Sequence, residues 1–459
     1  MPLVVGKRSL AGSPVRHSPA QRWIASRVAA REGAADAALS REGVTGPPMR
    51  SNGQRGWAAT PQTAAFALAP HPAILHRQSL HPMEREGRVM DKDVACATPK
   101  LGFGLMRLPR RLGRIDIRQV SQMVDAFLEG GFTYFDTAYV YVGSEDAIAK
   151  ALVKRHPRES YMLASKLYAP IALSERSARK QLEASLRRTG AGYLDYYLLH
   201  ALSRSNYQKY ERLHLWDYAQ RQREAGLIKH VGFSFHSDPE LLDQLLLEHP
   251  EVDFVQLQLN YADWESASVM SRQNYEVARR HGKPIVVMEP VKGGKLANPP
   301  REAARLMREA SPNMSCASWA VRFVASLEGI LTVLSGMSNL AQMQDNLSYM
   351  RDFRPLDERE HALIRRVQAI VGTSPIIPCT ACQYCVKGCP KHIPIPDVFA
   401  AMNLRLGDGL MEAARIAYGK ATGGRGLASD CIRCGQCNHV CTQNIDVMAR
   451  LRETALALE

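Results

Sequence analysis

Eight of the chain's ten cysteines stand in two short runs. The first, CTACQYCVKGCP, holds Cys379, Cys382, Cys385 and Cys389; forty-one residues later CIRCGQCNHVC holds Cys431, Cys434, Cys437 and Cys441. Three thiolates separated by two residues each can wrap one cubane iron–sulfur cluster and leave backbone N–H groups to bond its sulfides. A fourth, after three more residues, points away to a neighbouring cluster. The expected ligand sets of two [4Fe-4S] clusters are therefore crossed: Cys379, Cys382 and Cys385 with Cys441, and Cys431, Cys434 and Cys437 with Cys389. Structural zinc usually takes two CxxC pairs set well apart, which suits four thiols crowded into eleven residues less well. Disulfides would require an oxidising compartment. The first thirty residues contain no uninterrupted apolar core and no later stretch is long enough to span a membrane, so a cytoplasmic protein with no membrane partner is expected. Cys96 and Cys316 stand alone and read as small buried hydrophobes.

The elements that must carry these cysteines, and whatever else the chain does, are legible in the hydrophobic pattern. With 459 residues there is room for one large domain and one or two small ones. The formal net charge of +14 is uneven: residues 1–89 hold twelve Lys and Arg against five Asp and Glu. No basic helix or aromatic-interleaved patch follows, which argues against a nucleic-acid partner. Residues 1–89 lack any sustained period and read as a disordered extension: a native arm, a transit peptide, or upstream sequence included by too early a start. Met90, ten residues before the first recognisable strand, favours the last of these.

From Lys100 onward, eight apolar runs of strand length alternate with helical patterns. The runs are KLGFGLM, TYFDTAYVY, YMLASKL, LDYYLLHAL, IKHVGFSFH, DFVQLQLNY, PIVVMEP and ILTVLSG. Continuously apolar strands divided by crossover helices predict a parallel sheet covered on both faces, and eight such units over about 250 residues predict an α/β fold of (β/α)8 TIM-barrel type. The barrel is expected over 98–350, a charged helical linker over 351–374, and an α-helical, ferredoxin-like module over 375–459. In that module, PDVFAAMNLRLGDGLMEAARIAYG reads as two helices and IDVMARLRETALALE as a terminal one.

Working residues of such a barrel sit at the C-terminal strand ends. Those ends carry Asp136 and Tyr141, Lys166, and His200. Through FDTAYVYVGSE, LASKL and LLH the chain resembles the aldo-keto reductase superfamily, and with its cysteine runs the iron–sulfur-containing branch of it. The resemblance implies nicotinamide-dependent, reversible interconversion of a small-molecule carbonyl and alcohol. Tyr141 would be the proton donor, Lys166 and Asp136 its tuning pair, and His200 the orienter of the carbonyl. An ammonium beside a phenol favours the phenolate, which is the expected use of Lys166.

The same resemblance implies nucleotide contacts at Ser234, Gln256, Pro290, Gly293, Gly336, Gln342, Asp345 and Asn346. Gln342 stands where relatives often have an arginine for the 2′-phosphate of NADP, so NAD and NADP both stay open. Pro390 follows the first cysteine run as the ferredoxin pattern asks, whereas Thr442 replaces the second such proline. Hydride transfer moves two electrons and a cubane cluster takes one, so coupling them would need an intermediary such as a flavin, for which nothing in the sequence calls. The clusters are then either a structural clamp or a wire to an electron-transfer protein partner. A third reading makes the barrel a degenerate scaffold for an electron-transfer protein.

Overall fold

A computed structural model describes residues 98–459; the expectations for residues 1–89 and for Cys96 lie outside the described residues. Eight strands pair in parallel and close: β1 Leu101–Gly104, β2 Tyr134–Asp136, β3 Met162–Leu167, β4 Leu194–Leu202, β5 Ile228–Phe235, β6 Phe254–Gln258, β7 Ile285–Met288 and β8 Ile330–Ser335. The circle is sealed where β1 pairs β8, Leu101 opposite Val333 and Phe103 opposite Ser335. The chain is thus the expected (β/α)8 barrel.

Period-two alternation sorts each strand between two cores. Tyr134, Ala164, Tyr196, Leu198, Phe254, Val286, Leu331 and Leu334 fill the interior. Their neighbours Phe135, Leu163, Tyr197 and Leu199 face outward under the helices. The helices bury ordinary stripes. In α1, Ile117–Glu129, the buried residues Val120, Met123, Val124 and Phe127 recur at three and four, and the Asp116 carboxylate caps the first turn by accepting from Gln119 N. The next helix, α2, runs from Ser144 to Ile148 and continues as a wider π turn over Ala149–Val153. In α3, Glu175–Thr189, Ser174 and Ser177 form a reciprocal capping box, and Gly190 ends the helix with φ of 68°.

Several apolar runs outlast their strands. TYFDTAYVY yields only Tyr134–Asp136, and DFVQLQLNY stops at Gln258. The residues that follow stay buried, Ala138 and Leu259 among them, because the barrel's top is covered by the C-terminal segment. The charged stretch expected as a linker is mostly α4, Glu358–Gly372, and it belongs to the barrel. Leu363, Ile364 and Val367 join the outer core, Arg322 grips Glu360 with two bonds of 2.7 and 2.9 Å, and Gln368 Nε2 donates to Tyr261 O. Beyond it, α5 Ile395–Asp408, α6 Met411–Thr422 and α7 Val447–Leu458 build a small second core around Ile393, Phe399, Tyr418 and Leu451. No helix among the described residues is long and apolar enough to cross a membrane.

One outer contact carries a pH signature. His249 stacks on Trp216 with centroids 3.9 Å apart and 14° between planes, and its ring nitrogens lie 3.0 Å from Glu211 and 3.4 Å from Glu251. Burial opposes its charge, but the two carboxylates outweigh burial and lift it from 6.5 to about 9. A raised folded pKa adds stability that is complete below 6.5 and lost as pH climbs through about 9. His249→Gln should therefore unfold more readily than the parent in urea at pH 6, with the gap shrinking by pH 9.5 as the parent weakens. A gap constant across that range would assign His249 to packing alone.

Candidate active site and cysteine centres

Asp136 follows Tyr134 by two residues on β2, Lys166 follows Ala164 by two on β3, and His200 follows Leu198 by two on β4. Alternation therefore aims all three side chains inward, one layer above the interior core. Register places them side by side, with Asp136 opposite Ala164 and Lys166 opposite Leu198. Lys166 Nζ donates to Asp136 Oδ1 at 2.5 Å and to Thr137 O at 2.7 Å. Tyr141 arrives from the turn after β2, where its amide donates to Ala138 O and its carbonyl accepts from Ser144 N. Its ring stands 5.2 Å from Lys166 Nζ and 5.6 Å from the His200 ring. All four expected residues thus meet at one rim.

The electrostatics correct one expectation. Burial, then the charges of Asp136 and Glu289, push the Tyr141 phenol well above its ordinary range. Lys166 spends two of its N–H donors on Asp136 and Thr137, and its charge is not among the largest influences on Tyr141. Tyr141 is held as a proton-bearing phenol. Burial, with Lys166 and His236 nearby, drives His200 well below its usual value, so its imidazole is neutral; its Nδ1 has no hydrogen-bond partner among the described residues. Burial likewise raises Asp136 and lowers Lys166, each opposed by the other's charge.

Asp136, Tyr141 and His200 open onto a cavity of about 660 Å³. Of the expected nucleotide contacts, Gln256, Pro290, Gly293, Gly336, Gln342, Asp345 and Asn346 line it. Ser234 does not: it is buried and its hydroxyl accepts from Ala201 N at 2.7 Å. Gln256 Oε1 and Asn346 Oδ1 are buried without a partner among the described residues, as amides awaiting a polar ligand would be. Gln342 spends its carbonyl on Ser338 N, and Asp345 accepts from Ser315 Oγ. Among the described lining residues Arg107 is the sole Lys or Arg, and it is tied to Thr380 O and to Glu289 at 3.8 Å.

The cysteine segment seats itself on this rim. Gln258 and Gln443 exchange amide bonds of 3.1 and 2.9 Å, Lys295 donates to Ile377 O, and Asn444 Nδ2 donates to Ser268 O at 2.5 Å. Gly293, with φ of 64°, lets the backbone of Thr380 come so near that a Cβ there would lie 2.8 Å from it. Tyr384 reaches into the site: its hydroxyl lies 3.2 Å from His200 Nε2, and its phenol neighbours that of Tyr141. Sequence reasoning missed Tyr384, Arg107 and Glu289. An aromatic between two clustered cysteines was the one available signal.

The two runs wind alike. Ala381 and Gln383 in the first, and Arg433 and Gly435 in the second, take positive φ at equivalent places, two residues after the opening cysteine and one after the next. Such left-handed turns make backbone concavities lined with N–H groups, which suit an anionic centre. Ala381 N donates to Cys379 Sγ within the first run, and Ile445 N, just past the second run, donates to Cys441 Sγ, both at 3.4 Å. Burial, then the charges of Cys382, Cys379 and Cys441, raise the Cys385 thiol, so these four are neighbours. Cys389, Cys431, Cys434 and Cys437 line a second small cavity with Pro390, Ile393 and Leu451. Burial and the neighbouring Cys431 lift Cys437 to about 11. Thiols so crowded become thiolates together only around a cationic centre, so the donor sets fit iron–sulfur clusters.

Residues 100–369 match the Aldo/keto reductase family, and residues 378–445 match the 4Fe-4S dicluster domain. With more than half of its length matched, the chain belongs to the aldo/keto reductase family of oxidoreductases. Similar proteins include an aldo-keto reductase of Mycolicibacterium vanbaalenii, 28% identical over 233 residues that are 49% of this chain and 75% of that one. The NAD/NADP-dependent indole-3-acetaldehyde reductase of Schizosaccharomyces pombe is 30% identical over 148 residues, 32% of this chain and half of its own length. Among solved structures, an aldo-keto reductase from Klebsiella pneumoniae in complex with NADPH aligns at 21% identity and a TM-score of 0.49, over 59% of this chain and 91% of that one.

Proposed function

We propose that the barrel catalyses nicotinamide-dependent, reversible reduction of a small-molecule carbonyl, and that the C-terminal segment holds two [4Fe-4S] clusters in crossed ligand sets. The observation that supports the reaction best is the Lys166–Asp136 pair at 2.5 Å beneath a protonated Tyr141 and a neutral His200, open to the 660 Å³ cavity. A reduced nicotinamide supplies a hydride when bound. Tyr141 donates its hydroxyl proton to the oxygen on which negative charge grows, and neutral His200 fixes that oxygen's place. Lys166 and Asp136 position Tyr141 and balance charge beneath it. The orphaned Gln256 and Asn346 amides are the contacts for carboxamide and adenine. With Gln342 and Asp345 in the lining and Arg107 already engaged, no Lys or Arg among the described lining residues is free for a 2′-phosphate, which favours NADH.

Clusters in such sets exchange single electrons. Cys379, Cys382, Cys385 and Cys441 would hold the one nearer the barrel, since Cys382 lines the main cavity, and Cys431, Cys434, Cys437 and Cys389 the outer one. Clamp and wire both remain consistent with that placement. The degenerate-scaffold reading draws on a specific observation: Tyr384 occupies hydrogen-bonding groups that a carbonyl needs.

Anaerobically purified full-length protein should carry about eight iron atoms, as two cubanes require, and oxidise NADH with a small aldehyde faster than it oxidises NADPH. Cys389→Ser should perturb the outer cluster and spare the inner. Zinc in place of iron, or damage confined to the inner cluster, would count against the ligand sets; aldehydes left untouched with either nucleotide would favour the scaffold reading.

A further inference from the structure

The phenol of Tyr384 stands in a specific place. Its oxygen lies 3.2 Å from His200 Nε2, and its phenol neighbours that of Tyr141. Under the function proposed above, those are the two groups that receive a carbonyl oxygen. The ring is held by stacking on Tyr168, centroids 6.1 Å apart and planes 24° apart, and Tyr168 in turn packs edge-on against His200. Tyr384 also borders two spaces: the main cavity and a second one of about 420 Å³ at the seam between the βα loops and the cysteine segment. His236 and Thr442 line both as well, so these three side chains form the partition. On the seam side the lining offers polar groups from Ser203, Asn206, Ser237 and Asn438 beside apolar ones such as Pro170 and Val440.

We propose that Tyr384 determines which substrates this tetrad accepts: its hydroxyl occupies the carbonyl-oxygen seat, and a substrate binds by displacing it, entering from the cavity at the seam, whose polar side chains can hold it first. The proposal rests on reading Tyr141 and His200 as the carbonyl-binding pair. An aldehyde without polar groups makes no hydrogen bond in the seam cavity and competes poorly with a phenol tethered beside its seat. A carbonyl compound bearing hydroxyls or amides can bind the seam first and then push the ring aside. Tyr384 is then a specificity-determining residue, with no proton of its own to deliver to product.

The test uses full-length, cluster-loaded protein and two readouts. Calorimetric binding of benzoate, whose carboxylate oxygen mimics the reacting one, is measured for the parent, Tyr384→Phe and Tyr384→Ala. Steady-state reduction of benzaldehyde follows for the same three. Removing a competitor that makes one or two net hydrogen bonds should tighten benzoate about tenfold in both variants, and should lower the benzaldehyde KM by a similar factor with kcat kept. Iron content and absorbance equal to the parent's mark a variant whose segment is intact; Tyr384→Phe, which retains the stack on Tyr168, decides the matter where Tyr384→Ala loses iron. Unchanged benzoate affinity in Tyr384→Phe would overturn the proposal. So would a fall in kcat at constant KM, which would make Tyr384 part of the chemistry. If no variant oxidises a nicotinamide cofactor yet benzoate binding tightens, the reductase reading fails and the occupied seat stands.

Discussion

Tyr141→Phe should reduce carbonyl turnover by about two to four orders of magnitude, the range lost when a positioned general acid is removed, while nicotinamide binding stays near the parent value. The phenol is held protonated at the rim, whereas Gln342, Asp345 and Asn346, the expected nucleotide contacts, reach the same cavity from a helix after the last barrel strand. Cofactor affinity by fluorescence titration and single-turnover hydride transfer separate the two effects. Because burial and the neighbouring Asp136 and Glu289 hold Tyr141 protonated far above neutral pH, reduction by the parent should show no fall from loss of that proton between pH 6 and 9. Loss of cofactor binding in step with turnover would give Tyr141 a structural role instead.

The largest effect on stability is expected at Lys166. Its ammonium is fully buried, and Lys166→Met strands the Asp136 carboxylate, which already has one oxygen without a partner. Breaking one side of a buried ion pair costs about 3–5 kcal/mol, read as a lower urea midpoint at pH 7. The loss has a sign in pH. With the ammonium gone, burial raises the Asp136 pKa further above its unfolded value of 3.8, so the variant regains stability as pH falls from 7 toward 4 and Asp136 takes up a proton. The double change Asp136→Asn with Lys166→Met should be milder than Lys166→Met alone. A double variant as unstable as the sum of the two singles would mean that the ion pair is not what Lys166 contributes.

Most of the barrel was legible because its strands are buried on both faces. LDYYLLHAL and ILTVLSG carry unbroken apolar runs whose length and flanks leave few other readings, and both strands lie where those runs do. Catalytic candidates were legible for a related reason. A Lys or an Asp inside such a run must point either into the core or onto the rim, and strand alternation selects the rim. Strand ends were less so, since residues such as Leu259 remain apolar to fit under the covering segment. The helix of α4 was expected but its docking on the barrel was not, because its exposed face is densely charged and only Leu363, Ile364 and Val367 dock it. Tyr384 was out of reach altogether. It meets His200 across 184 residues of chain, and that contact depends on how two separately legible units dock. Nor does the sequence show that the lysine would be spent on Asp136 and Thr137, leaving the phenol protonated.

Gly293 was expected to face a nucleotide, and it also receives the backbone of Thr380, one residue past the first cysteine of the inner set. The loop proposed as a wall of the nucleotide site thus also seats the cysteine segment. Equilibrium coupling of that kind is reciprocal. To whatever extent metal loading at Cys379 stiffens this loop and tightens the grip on a dinucleotide, a bound dinucleotide must tighten the grip on the metal by the same free energy.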